Sequence, residues 1–164
     1  MFTMETAICV DVPIDVAWRE MARIDDVDLW VDQIATTYCK TVENPGLGTE
    51  RVCVMTNGIE VTEKFIHWEE GKAFTYKVFG NGFPGMKSAQ NAWTFEDMGD
   101  KTMIRSVATV ELKWGLLGKL MEPFIHMMFK RDMPRIAASL KYFVENGEPY
   151  EGDTADLPKA ASFC

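Results

Sequence analysis

Residues 57–70 read NGIEVTEKFIHWEE. The stretch opens on Asn-Gly, a strong short-range hairpin signal, and then alternates. Ile59, Val61, Glu63, Phe65 and His67 fall on one side, and Glu60, Thr62, Lys64, Ile66 and Trp68 on the other. A period of two is that of a strand, and the first side is its covered face. Glu63 is the one carboxylate on that face, so any fold assigned to the chain has to account for it.

Short turns on either side of this strand allow its pairing to be read. A two-residue loop at Asn57-Gly58 pairs Thr56 with Ile59, Val54 with Val61 and Val52 with Glu63. A four-residue loop, EEGK at 69–72, pairs Trp68 with Ala73, Phe65 with Tyr76 and Glu63 with Val78. A two-residue loop at Gly99-Asp100 pairs Met98 with Lys101, Trp93 with Ser106 and Asn91 with Ala108. Paired residues share a face. The expected covered face is therefore apolar, with Glu63, Tyr76, Asn91 and Ser106 set into it and His67 and Lys87 at its edges. The same register turns Arg51 outward, opposite Lys64. That like-charge pairing leaves two alternatives: Arg51 has an acidic neighbour elsewhere, or the turn at Asn57-Gly58 is not two residues long.

Outward from this core the pattern continues as strands at 3–12, 33–43, 48–56, 73–80, 87–97 and 102–112, separated by turn signals such as NPGLG (44–48) and GNGFPG (80–85). Between the first two strands, Pro13 opens a helix carrying Ile14, Ala17, Trp18, Met21 and Ala22 at helical spacing, and DDVDLWV (25–31) predicts a second short helix. Residues 116–146 carry a long apolar stripe and form the last helix, with a kink or break expected near Pro123 or Pro134 and a stop at Asn146-Gly147. One domain over 1–147 and a poorly ordered tail over 148–164 are expected.

Composition narrows the classes of function. The 164 residues carry a net charge of −8 with no Lys/Arg cluster, which argues against nucleic acid and anionic membrane as partners. No apolar run approaches the roughly 18 residues of a membrane span. The opening MFTMETAICVDV lacks a charged leader and an apolar core, so a cytoplasmic location is expected. Cys9, Cys39, Cys53 and Cys164 are scattered without a C-x-x-C pair, which predicts reduced thiols. The two histidines, His67 and His126, stand far apart, and no metal site is expected. A nucleophile motif, a phosphate loop and a cofactor fingerprint are all absent, so no cofactor is expected.

The order strand, two short helices, six strands, long helix resembles the helix-grip fold. VDVPIDVAWREMARIDDVDLWVDQI resembles the opening of the START/Bet v 1-like (SRPBCC) superfamily, in particular its polyketide cyclase/dehydrase-like branch. GLGTERVCV resembles that family's Gly-x-Gly-x-x-Arg strand, and IEVTEKFIHWEEGKAFTYKV its paired central strands, with a Glu at the position of Glu63. The resemblance spans about residues 4–146 and rests on spacing and pattern. It implies an α+β architecture: a curved antiparallel sheet of about seven strands gripping the C-terminal helix, with a cavity between them. Members bind lipids, sterols, hormones and polyketides, and some catalyse cyclisation or dehydration.

Two functions follow as expectations. The first is binding or carriage of a small apolar or aromatic, polyketide- or lipid-like ligand by a monomer or homodimer. The second is a cyclase or dehydratase with Glu63 as general acid or base and Tyr76 beside it, because burial of a lone carboxylate raises its pKa. A ligand-controlled interaction protein is a third possibility. The expected cavity wall comprises Val54, Val61, Glu63, Phe65, Tyr76 and Asn91, with Trp93, Ser106, Phe129 and Met133 completing it. Phe83 in GNGFPG is the expected lid, since three glycines there permit motion.

Overall fold

The computed structural model describes residues 1–40, 44–79, 85–113 and 115–164. Seven strands form one antiparallel sheet: β1 (Phe2–Val10), β2 (Ile34–Cys39), β3 (Glu50–Met55), β4 (Glu60–Glu69), β5 (Ala73–Phe79), β6 (Met86–Asp97) and β7 (Thr102–Leu112). Their order is β1-β7-β6-β5-β4-β3-β2, so five hairpin-like pairings and one long-range pairing of β7 with β1 make up the sheet. The helix α1 (Ile14–Met21) follows β1, and α2 (Gly115–Asn146) closes the chain's main body across the sheet. This is the helix-grip arrangement.

Only one short α-helix follows β1. The second expected helix is a single 3₁₀ turn, Val27–Leu29, in which Val27 alone is buried. One apolar anchor is too little to hold a helix whose nucleation is costly. α2 runs unbroken through both prolines. Pro123 and Pro134 lie on its exposed side, where water can take up the carbonyls that each proline leaves without a donor.

The register of β3 against β4 differs by one residue from that of a two-residue turn. Met55 and Ile59 close the hairpin (Met55 N–H to Ile59 O, 2.8 Å), leaving Thr56, Asn57 and Gly58 as a three-residue loop. Gly58 takes φ +82°, the left-handed position that such a loop ends on. Arg51 therefore pairs with Glu63, and Val52 with Thr62. Arg51, Cys53 and Met55 point to the covered face, while Val54, opposite Glu60, points away from it. Of the two alternatives left by Arg51, the longer turn is the one found.

At the β4–β5 turn two deviations cancel. This loop is one residue shorter at its start than expected, so Glu69 pairs with Ala73 and Trp68 with Phe74. A β-bulge between Phe65 and His67 then restores Phe65 opposite Tyr76 and Glu63 opposite Val78. The bulge turns Ile66 and His67 out to solvent and brings Trp68 in, so His67 is not on the covered face. A second irregularity, between Met86 and Ser88, leaves Lys87 exposed and paired with Glu111 at 2.8 Å. The β6–β7 hairpin has the expected register, with Trp93 opposite Ser106 and Asn91 opposite Ala108.

The dense core occupies one end of the grip. Ile8, Val10, Phe65, Phe74, Trp93 and Ile104 of the sheet meet Trp18 and Met21 of α1 and Ala137, Leu140, Phe143 and Val144 of α2. Glu70 fastens α1 to the β4–β5 turn by accepting from two indoles, Trp18 Nε1 at 2.7 Å and Trp68 Nε1 at 2.9 Å. The N-terminal half of α2 is packed less closely, and Leu120, Met121, Phe124 and Met127 are exposed.

The tail, for which the sequence offers no ordering signal, is held at several points. Arg135 reaches Asp153 at 2.8 Å, Thr154 donates to Asp32 at 2.8 Å, and the Ala161 carbonyl accepts from Cys9 N–H at 2.8 Å. The last contact covers the open edge of β1. Cys9 and Cys164 are joined in a disulfide, which corrects the expectation of four reduced thiols; Cys39 and Cys53 are free. Spacing alone could not reveal the pair, because its 155-residue separation carries no local signature. Thiol titration of the oxidised, denatured chain should find two groups, and four after reduction. Cys164→Ser should lower the unfolding free energy by roughly 2–4 kcal/mol in urea titrations, as expected for a cross-link closing a long loop.

Candidate functional site

The covered face carries a polar row that crosses the sheet. Cross-strand pairing and its diagonals set Arg51 (β3), Glu63 (β4), Tyr76 (β5), Asn91 (β6), Ser106 (β7) and Thr6 (β1) side by side. Ser106 Oγ donates to Asn91 Oδ1 at 2.9 Å, and Asn91 Nδ2 donates to the Tyr76 hydroxyl at 3.3 Å. The Arg51 guanidinium lies 5.1 Å from the centre of the Tyr76 ring and 5.4 Å from that of Phe65, within cation–π range. Toward one end of the sheet from this row lies the aromatic core. Toward the other lies a hollow of about 450 Å³ between the sheet and α2.

Arg51 and Glu63 form one end of the row. Both Nε, at 2.7 Å, and Nη2 of Arg51 donate to Glu63 Oε2, and Nη1 donates to the Ile24 carbonyl at 2.7 Å. Arg51 is 5% and Glu63 9% exposed, so the pair is withdrawn from water. Burial by itself works against the Arg51 charge, but the Glu63 carboxylate outweighs it and lifts the guanidinium pKa above its ordinary value. Glu63 is thus half of an ion pair and not the lone buried carboxylate expected of a general acid. Burial, with Glu63 next, pushes the Cys53 thiol and the Tyr76 phenol each up to about 12, so both are neutral at pH 7.

The two oxygens of Glu63 differ. Oε2 takes both Arg51 donors and the Cys53 thiol at 3.7 Å. Oε1 has no hydrogen-bond partner among the described residues. It is not sealed in the interior either, since Glu63 lines the hollow. Beside Glu63 on the sheet wall stand Cys53, Met55, Val61, Val78 and Met4. The α2 wall is Ile125, Met128, Phe129, Asp132, Met133 and Ile136, a stripe at i, i+3, i+4, i+7, i+8 and i+11.

The residues proposed from sequence fall into four groups. Val61, Glu63, Phe129 and Met133 line the hollow. Tyr76, Asn91 and Ser106 belong to the polar row, where Tyr76 and Trp93 border a void of only about 20 Å³ under α1 and the 3₁₀ turn. Phe65 and Trp93 are core residues, Trp93 packing edge-on against Trp30. Val54 is on the opposite face of the sheet, and Phe83 lies outside the described residues. Sequence reading missed Arg51, Cys53 and Met55 because all three follow from the turn length. The α2 stripe was visible as periodicity, but its hollow-facing half reads the same as its core-facing half. Among the described residues no group of three or more His, Cys, Asp or Glu is placed to hold a metal ion.

Residues 1–145 match the family model described as polyketide cyclase / dehydrase and lipid transport. The chain belongs to that family. It shares the fold of the START/Bet v 1-like superfamily. Ara h 8.0201 aligns over 87% of this chain and 97% of its own at 17% identity, with a TM-score of 0.66. Norcoclaurine synthase from Thalictrum flavum, in complex with dopamine and hydroxybenzaldehyde, aligns over 88% and 87% at 18% identity and 0.64. The di-domain ARO/CYC BexL from the BE-7585A biosynthetic pathway aligns over 88% of this chain at 15% identity and 0.71; the chain spans 47% of BexL. No curated protein matches the sequence.

Two outcomes follow from the buried pair. Arg51→Met leaves a carboxylate buried without its counter-charge and should cost about 3–5 kcal/mol of stability, whereas Arg51→Met with Glu63→Leu should regain most of it; urea unfolding of both variants measures the difference. The neutral thiol and phenol set a pH dependence. Their ordinary values are 9.0 and 10.0, so above about pH 9 the unfolded chain sheds protons that the folded chain keeps, and stability falls. Unfolding free energies of the unaltered chain and of Cys53→Ala/Tyr76→Phe across that range should diverge, with the variant declining less.

Proposed function

We propose that this protein binds or carries a small apolar or aromatic, polyketide- or lipid-like molecule in the hollow between the sheet and α2. One observation carries the reading: an open hollow of about 450 Å³ whose walls are largely Met, Val, Ile and Phe, with a single carboxylate on the sheet side. The volume exceeds the roughly 300 Å³ at which ligand pockets begin, and few polar groups in an apolar wall is the usual composition of such pockets. Methionines from three strands and from α2 give a lining that adapts to shape. Family membership supports a small-molecule ligand. The reading includes a monomer or homodimer, a cytoplasmic location and no nucleic-acid partner; no described helix is long and apolar enough to cross a membrane.

A second reading, a cyclase- or dehydratase-type enzyme acting on a polyketide-like substrate, is favoured by one feature. Asp132 of α2 lines the hollow across from Glu63 of β4, so carboxylates stand on both walls. Catalysis of that kind needs two polar groups converging on one substrate, one of them titratable. If it operates, Asp132→Asn should retain binding and abolish turnover of a candidate substrate.

Native mass spectrometry of freshly purified protein should reveal a co-purified small molecule. Val61→Phe, which fills the hollow from the sheet side, should weaken binding of an apolar fluorescent dye at least about tenfold, while the melting temperature moves only a few degrees. Unchanged dye binding in Val61→Phe places the ligand elsewhere and sinks the proposal.

A further inference from the structure

We infer that the hollow selects an apolar ligand bearing a hydrogen-bond donor, a hydroxyl or a protonated amine, and rejects one ending in a carboxylate or phosphate. The inference rests on the proposed ligand-binding role and adds the charge class of the ligand.

Among the described residues, every ionised side chain that lines the hollow is an acid. Glu63 stands on the sheet wall and Asp132 on the α2 wall, and no Lys, Arg or His is among the lining residues. Arg51, the cation paired with Glu63, borders the small void under α1 instead. Each of its three nitrogens is already donating, two to Glu63 Oε2 and one to the Ile24 carbonyl. The ion pair is neutral as a whole but directional: its guanidinium is set back and its carboxylate borders the hollow. Asp132 is held by Arg131, whose own side chain is 72% exposed and lies outside the lining.

Glu63 Oε1 therefore meets a largely apolar hollow as an acceptor without a partner among the described residues. Leaving such an oxygen unpaired once a ligand has displaced water is costly. A hydroxyl or ammonium on the ligand removes that cost by donating to Oε1, and a charge-assisted bond of this kind is stronger than a neutral one. An ether or a plain hydrocarbon covers the oxygen and satisfies nothing. An anionic group does worse, since it loses its own hydration, finds no free cation and approaches two carboxylates in a medium of low polarity. Apart from Gln33, the remaining wall, with Met55, Val61, Phe129 and Met133, is largely apolar and suits an apolar body.

Four naphthalenes of one shape test this on the full oxidised chain by isothermal titration calorimetry at pH 7: 2-naphthol, 2-naphthylmethylammonium, 2-methoxynaphthalene and 2-naphthoate. The naphthol or the ammonium, or both, should bind about tenfold or more tighter than the methoxy compound, the worth of one hydrogen bond to a charged acceptor, and the naphthoate weakest of all. The first two compounds separate hydroxyl from ammonium. Equal binding of the naphthol, ammonium and methoxy compounds, or naphthoate binding as tightly as the naphthol, overturns the inference and leaves the ligand-binding role standing. Failure of all four to bind overturns both. In Arg51→Met/Glu63→Leu, with folding checked by circular dichroism, the preference for naphthol over the methoxy compound should fall to about one, with methoxy binding retained. A preference that persists in this variant places the discriminating acceptor elsewhere and overturns the assignment to Glu63.

Discussion

The buried pair of Arg51 and Glu63 is the constraint around which the sheet is arranged. Either charge alone in this position is prohibitive, and the two are tolerable only together and with their remaining donors and acceptors engaged. A slip of one residue between β3 and β4 would put Val52 opposite Glu63 and send Arg51 out beside Lys64. Hydrophobic pattern alone resists that slip weakly, because Val52 and Cys53 are both buried and either could serve as a covered-face residue. The ion pair resists it strongly. The three-residue turn ending on Gly58 and the pair thus specify one register by independent means, local backbone geometry and long-range charge.

The same pair stands within a polar row that divides the interior. On its core side, Phe65, Phe74, Trp93 and Ile104 pack against α1 and the C-terminal half of α2, and Leu140, Phe143 and Val144 are almost wholly enclosed. On its other side the strands offer Val61, Val78, Met86 and Met4 to a stretch of α2 that stands off from them. Stability and an unfilled interior conflict in a single core, because each void forfeits contacts. Separating the two along one helix resolves the conflict: the dense end holds α2 in place and the other end can remain open. Tyr76, Asn91 and Ser106 stay hydrogen-bonded to one another within this boundary, so their burial carries little penalty.

The architecture was legible in the sequence because its signals are periodic. Alternation marked the strands, the apolar stripe of 116–146 marked the helix, and Glu63, Tyr76, Asn91 and Ser106 stood out as polar residues on an apolar face. What escaped depends on single-residue offsets. Asn57-Gly58 fits a two-residue or a three-residue loop equally well in sequence, yet that difference decides whether Val54 or Cys53 and Met55 face inward. The bulge that turns His67 out and Trp68 in leaves no compositional mark, since both residues fit either face of a strand. The like-charge pairing of Arg51 with Lys64 was the one electrostatic clue that the shorter turn was wrong. A clash of charges in a proposed register is evidence about the register, and here it pointed to the residue that neutralises Glu63.

The identity of that neutralising residue changes what the carboxylate can do. A lone buried acid in an apolar pocket is a proton donor in waiting, which is how Glu63 reads when its strand is considered by itself. Beside Arg51 it is an acceptor with one oxygen committed and the other without a partner among the described residues. Fixed acceptors orient ligands, and they do so without any change of protonation. The neighbouring thiol of Cys53, held neutral up to about 12, is not suited to act as a base near pH 7. The geometry therefore weights the sheet wall toward recognition. On the α2 wall, Asp132 is the one ionisable side chain among the described lining residues.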